Sequence, residues 1–344
     1  MSKTVFITGG AGYIGSVMIG ELLKQEYNVR VLDRMFFGFQ TVEAYRNHPN
    51  FELIQGDIRY FDEKLLKDVD IVVDLAGISN DPSCDLVESR LTLSINHLGS
   101  VRVAKLAKKM GVKLYIFSSS CSIYGHGVRN KLNEDSPKHP VSLYAEAKVQ
   151  AEEDILPLAD DNFCVTCLRN ATVYGVSSRM RFDLVVNMMT MRAWTNNKIY
   201  VLGGGKQWRP VIHVKDVVKA FMSVMEADKS KINGEVFNVG SNDQNYRIFQ
   251  LANIVRDIVP HVEVETVPDD PDKRSYNVCF DKIRDVLGYQ VERSVQEGIV
   301  EVKQGLENGL IDPEDLRTVT LKYYQYLLDA EKVIKKVSYK GQIF

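Results

Sequence analysis

No apolar run in this chain of 344 residues approaches the ~18 residues that a bilayer-spanning helix needs. No membrane partner is therefore expected. Charge of one sign is lacking too: 43 basic residues face 45 acidic ones, a formal charge of −2. Such a balance removes the electrostatic reason to expect nucleic acid or an anionic surface. Cysteine is scarce and odd in number: Cys84, Cys121, Cys164, Cys167 and Cys279. A scattered odd set reads as reduced thiols rather than a disulfide framework. No charged n-region with an apolar h-region opens the chain, so no secretory leader is expected. Together these features point to the cytoplasm. Cys164-x2-Cys167 has redox or zinc spacing, but no second Cys/His pair accompanies it. Its surroundings, Phe163-Cys-Val-Thr-Cys-Leu168, read as a strand, in which residues i and i+3 face opposite ways. No metal is expected. Repeats, low-complexity tracts and a clear linker are also missing.

What the chain does have is alternation. Short apolar runs occur at 4–8, 29–32, 51–54, 71–75, 114–117 and 165–168. Helical patterns fill most gaps, at 14–24, 62–67, 87–110 and 143–156. Strands alternating with helices imply right-handed βαβ units, and fully apolar strands imply a parallel sheet covered on both faces. The expected class is α/β, a doubly wound parallel sheet with a smaller C-terminal lobe. In the second half, helices are expected at 179–195, 215–227, 246–259, 281–287, 295–308 and 313–334. Strands are expected at 199–202, 211–214 and 236–239. The sheet is assigned to residues 1–175, with 206–240 completing it, and the lobe to 176–205 and 241–344.

The first strand ends at Thr8 and runs into Gly9-Gly-Ala-Gly12-Tyr13-Ile14-Gly15. One glycine serves the tight turn, one lets a pyrophosphate approach the backbone, and one lets helix pack on strand. The helix that follows offers free N–H groups and the positive end of its dipole. This is a dinucleotide site in its expected context, a turn between strand and helix. Asp33 closes the second strand, where an acid accepts from ribose hydroxyls and selects NAD. Arg34 follows at once and would suit a 2′-phosphate, so NADP is the alternative. Asp57-Ile58 follows the third strand, where the acid meets either an adenine amine or only its own turn. Leu75-Ala76-Gly77 ends the fourth strand with small residues against which a cofactor can lie.

The segment Ser118-Ser-Ser-Cys-Ser-Ile-Tyr-Gly125 and the later Tyr144-x3-Lys148 carry the chemistry. Tyr144 and Lys148 are four apart in a helical pattern and so share a face. A free tyrosine, with a pKa near 10, is a poor base at neutral pH. A neighbouring ammonium favours its phenolate. Ser120 ends the fifth strand, where doubly wound sheets place their sites; the plainer alternative is a strand-ending serine bonded to backbone. A second Tyr-x3-Lys, at Tyr60 and Lys64, lacks such a partner and reads as a surface helix start.

With these residues the chain resembles the extended short-chain dehydrogenase/reductases that act on nucleotide sugars, over nearly its whole length. The resemblance implies a Ser120–Tyr144–Lys148 triad. It also implies two arginines on a nucleotide diphosphate, Arg209 within Gln207-Trp-Arg-Pro and Arg274 within Asp272-Lys-Arg. A guanidinium fork suits phosphate oxygens. Members that dehydrate the sugar carry an Asp-Glu pair after the triad serine or threonine. Cys121 and Ser122 stand there, which speaks against 4,6-dehydration. Epimerases often have an asparagine near Thr172, and its absence leaves sugar selectivity open. The stretches 177–187 and 270–274 resemble a branch that includes oxidoreductases of bacterial surface sugars, heptose nucleotides among them. The implied activity is a nucleotide-sugar 4-epimerase. The alternatives are a net 4-dehydrogenase or 4-ketoreductase and, in another class, a non-catalytic NAD sensor, which would lack the tyrosine or the lysine of the triad. The resemblance further implies a two-fold homodimer through helices of 87–110 and 143–156.

Overall fold

The computed structural model describes residues 2–79, 81–127, 131–268 and 274–343. The first half contains β1 (Thr4–Thr8), α1 (Tyr13–Lys24), β2 (Asn28–Asp33), β3 (Phe51–Gln55), β4 (Ile71–Asp74), α2 (Asp81–Leu86), α3 (Ser89–Asn96), α4 (Leu98–Lys109), β5 (Leu114–Ser120), α5 (Leu143–Ile155) and β6 (Cys164–Asn170). The second half contains β7 (Thr172–Tyr174), α6 (Val185–Asn196), β8 (Lys198–Leu202), β9 (Trp208–His213), α7 (Val214–Glu226), α8 (Lys229–Ile232), β10 (Glu235–Val239), β11 (Asn245–Arg247), α9 (Ile248–Ile258), β12 (Glu263–Val267), α10 (Asp281–Leu287), α11 (Val295–Glu307) and α12 (Thr320–Val337).

Seven strands form one parallel sheet in the order β10-β6-β5-β4-β1-β2-β3. Alternate residues of each strand enter different cores, as strand geometry requires. Val5 and Ile7 pack with α1 and α7, whereas Phe6 packs on the other face with α4 and α5. The cysteine pair obeys the same rule: Cys164 lies in the first core and Cys167 in the second. The strand order reverses between β1 and β4, which opens a crevice beyond their carboxyl ends.

The second lobe has its own core, drawn from α6, α9, α11 and β8. Of residues 206–240, β10 returns to the large sheet beside β6, but β9 does not. It pairs with β7 and β11 in a separate three-stranded sheet, and β8 pairs with β12. Among the described residues no helix is long and apolar enough to cross a membrane.

Several expected elements differ. The helix over 87–110 is two helices, broken at His97. Just before the break, Asn96 uses its amide on both backbone groups of Ile78, at 2.7 and 2.9 Å, which pins the loop after β4. Residues 62–67 make only a 3-10 turn, capped by Asp62. The helix expected from Arg179 begins at Val185, because Arg181 and Asp183 pair with each other in an irregular segment. The segment at 246–259 starts with β11 before α9. Short pieces such as β7, α2 and β12 carry too little periodicity to be read from sequence.

Candidate active site

The turn after β1 is built as its glycines require. Gly9 has φ +67, and a Cβ there would lie 2.8 Å from the Ala76 backbone. A Cβ on Gly15 would meet the Gly10 backbone at 2.5 Å, so α1 sits tightly on the turn. Gly12 caps α1 without a side-chain bond. Asp33 accepts hydrogen bonds from the backbone N–H groups of Ala11 (3.0 Å) and Met35 (2.7 Å). Burial raises its carboxyl above the ordinary range, and the two amides oppose that. Asp57 receives Arg59 through two donors, at 3.0 and 2.7 Å, and lies 3.8 Å from Arg34. Burial would raise Asp57, but Arg59 outweighs it and holds the carboxyl low. The Ile58 side chain is core, packed among Phe61, Leu66 and Val101.

Tyr13 also faces inward. Its hydroxyl donates to the Gly175 carbonyl at 2.6 Å and accepts from Asn187 at 3.0 Å. It thus ties the segment before α6 onto α1. Ala76 donates its N–H to Thr8 at 3.2 Å. Tyr60, by contrast with Tyr144, is 76% exposed and sits in a turn.

One cleft of about 1310 Å³ brings the remaining expected residues together. Its walls include Ile14, Leu75, Gly77, Ser120, Tyr144 and Lys148, and also Arg209 and Arg274. Ser142 caps α5 by accepting from Ala145 at 3.2 Å, which sets the register of Tyr144 and Lys148. Ser120 Oγ accepts from the Ser122 N–H at 3.1 Å. Lys148 Nζ donates to the Ser118 carbonyl at 2.7 Å and lies 6.0 Å from the Tyr144 ring centroid. Burial lowers the Lys148 ammonium.

Burial works against the expected depression of Tyr144. Burial holds the phenol well above its usual range, and Asp81 and Cys84 add to this. Arg181 and Ser120 oppose them. Arg181 lines the cleft, is buried, and reaches Asp183 at 2.9 and 3.1 Å. Burial would raise Asp183 as well, but Arg181 brings it down to about 2. Sequence reading missed both residues. Their Arg-x-Asp spacing, which puts two side chains on one side of an extended segment, was the available signal.

Arg209 donates to the Trp208 carbonyl at 2.8 Å and to the Arg274 carbonyl. Arg274 in turn pairs with Asp81, at the start of α2. Asp272 and Lys273 lie outside the described residues. Behind the cleft, Glu152, Arg169 and Ser119 form a buried network. Arg169 reaches Glu152 at 2.9 and 2.8 Å, and Ser119 donates to it at 2.6 Å.

The chain is similar to known enzymes that act on nucleotide sugars. The chain is 29% identical over 308 residues to UDP-glucuronic acid decarboxylase 1 of Danio rerio, covering 86% of this chain and 71% of that protein. It is 28% identical to dTDP-D-glucose 4,6-dehydratase of Bos taurus, covering 87% of each. Among solved structures, the UDP-glucose 4-epimerase of Thermotoga maritima with UDP-glucose superposes with a TM-score of 0.78 at 27% identity, covering 90% of this chain and 100% of that one. Residues 5–240 match the family described as NAD dependent epimerase/dehydratase, and the chain belongs to that family of enzymes.

Proposed function

We propose that this enzyme is an NAD-dependent nucleotide-sugar 4-epimerase. The observation that carries the reading is the meeting of Ser120, Tyr144 and Lys148 with Arg209 and Arg274 in one cleft. The cleft exceeds the ~300–1,000 Å³ of a pocket for one small ligand, in keeping with a cofactor and a nucleotide sugar side by side.

The residues fit NAD. The Gly9 turn packs on Ala76 so closely that no Cβ is admitted, and the first turn of α1 has no side-chain cap and no acid. Its N–H groups would hold the pyrophosphate. Asp33 would take the adenosine ribose. Arg34, drawn toward Asp57, does not define a phosphate site by itself. Bound there, NAD⁺ would supply a reversible hydride acceptor for carbon 4 of the sugar, from either face.

The chain's own groups do the rest. Tyr144, as phenolate, takes the proton of the 4-hydroxyl. Ser120, fixed by the Ser122 N–H, aligns that hydroxyl. Lys148 has three donors, of which the Ser118 carbonyl takes one; ribose hydroxyls take the others. Arg181 supplies positive charge near the phenol. Arg209 and Arg274 serve the diphosphate.

Dehydration lacks its acid and base. Cys121 is buried, its Sγ donates to the Arg169 carbonyl at 3.1 Å, and burial pushes its thiol far up. Ser122 is an alcohol. The decarboxylase relative supports a second reading. A 4-keto sugar with a carboxyl at carbon 6 is a β-keto acid, so the same oxidation would permit loss of carbon dioxide. The five cysteines are free, in keeping with a cytoplasmic enzyme, and we expect it to work as a homodimer.

The experiment is incubation with UDP-, GDP-, CDP- and dTDP-sugars, uronic acids included, followed by mass and NMR analysis. Unchanged mass with inverted carbon 4 is the expected result. Loss of two hydrogens means a dehydrogenase, loss of carbon dioxide a decarboxylase, and loss of water overturns the exclusion of dehydration.

A further inference from the structure

Two buried polar atoms in the cleft have no hydrogen-bond partner among the described residues. They are Asn170 Oδ1 and Ser122 Oγ. Both residues line the cleft, and they are 5% and 3% exposed. Both also flank Ser120. Ser122 follows it by two residues and donates its N–H to the Ser120 hydroxyl, and Asn170 is its register partner across β5 and β6.

The orientation of the Asn170 amide is forced. Its Nδ2 lies 3.3 Å from the Ser119 carbonyl and 3.0 Å from Ser118 Oγ. A carbonyl only accepts, so the nitrogen must face it and the oxygen must point the other way. An amide oxygen is an obligate acceptor, and leaving one buried without a donor forfeits its hydration with nothing in return. Native structures rarely carry such a cost without a use for the group.

We propose that Asn170 is a specificity-determining residue whose Oδ1 accepts a hydrogen bond from an N–H or O–H of the ligand bound beside Ser120, with Ser122 Oγ as its companion. Two sources offer that donor: the cofactor's carboxamide and a hydroxyl of the sugar. The inference rests on NAD and a nucleotide sugar occupying this cleft, not on which product results.

Calorimetry separates the sources. The cofactor arm compares NAD with its 3-acetylpyridine analogue, which has no amide N–H. The sugar arm compares UDP-glucose with its singly deoxygenated analogues. In one arm the wild type should prefer the complete ligand by about 5-fold or more, the value of a buried hydrogen bond. Asn170→Leu should erase that preference while leaving the other arm unchanged. Asn170→Ala, which removes the acceptor without adding bulk, should erase the same preference and stands in if N170L does not fold. Equal preferences in wild type and variants, in both arms, would overturn the inference and leave the functional reading intact. A wild type that binds neither NAD nor UDP-glucose would overturn both.

Discussion

At the scale of single residues, the phenol of Tyr144 decides most. Tyr144→Phe should leave the melting temperature nearly unchanged and lower turnover by at least ~10²-fold, the lower range for a general acid–base group. An active variant would remove Tyr144 from the mechanism. Because burial holds this phenol high, kcat/KM of the wild type should climb with pH well into the alkaline range. Asp33 has two jobs. Asp33→Ser should narrow the gap between NAD and NADP in titration calorimetry, since repulsion of a 2′-phosphate is gone. The variant should also lose stability, because the Ala11 and Met35 amides lose their acceptor. A wild type that prefers NADP would show that Arg34 dominates that strand end.

At the scale of elements, α5 is the critical part, since one helix carries both Tyr144 and Lys148. Glu152 lies one turn beyond Lys148 and is fully buried against Arg169. That ion pair, with the Ser119 bond, fixes how α5 sits on β5 and β6. Glu152→Ala leaves a buried guanidinium without its carboxylate and should cost about 3–5 kcal/mol, read from urea unfolding. Activity should fall with it, because Lys148 moves with the helix. A change below about 1 kcal/mol, within the range of a surface ion pair, would mean that the network does not hold the helix. The C-terminal α12 reaches the cofactor side by another route. Tyr323 and Tyr324 lie 5.5 and 5.8 Å from the Phe37 ring, and Arg179 lies 3.7 Å above that ring. These contacts fasten the loop after Asp33.

At the scale of the whole molecule, assembly and acid stability are both open to measurement. Val101, Ala147 and Ala151 are spent on the subunit core, whereas Leu91 and Leu98 remain exposed on α3 and α4. A two-fold dimer through these helices would cover them. Light scattering across a dilution series should give twice the chain mass; a constant 39.0 kDa would exclude the dimer. Asp183 and Glu301 both have carboxyls brought down to about 2 against burial, by Arg181 and by His213 respectively. A depressed carboxyl contributes stability above its unfolded pKa, near 4, and loses it as pH falls through the folded value. The melting temperature should therefore drop steeply between about pH 4 and pH 2. Asp183→Asn should flatten that limb; an unchanged slope would remove the Arg181 pair from the account.

Local patterns by themselves determined the alternation of strands and helices, the glycine turn after Thr8, and the shared face of Tyr144 and Lys148. Each is a matter of neighbours a few residues apart, where periodicity and backbone freedom are visible in the letters. Tertiary structure decided the rest, because partners distant in sequence made the choice. The Asn96 amide is committed to Ile78, eighteen residues earlier, next to the break that periodicity did not show. β9 reads as a strand like any other, yet its partners β7 and β11 take it out of the large sheet. Arg181 and Asp183 look helical until their pairing and burial are seen. Lys148 stands where its spacing puts it, but its ammonium turns to the Ser118 carbonyl, and burial with Asp81 and Cys84 holds the Tyr144 phenol up against Arg181. Spacing tells which side chains share a face, and only packing tells what that face meets.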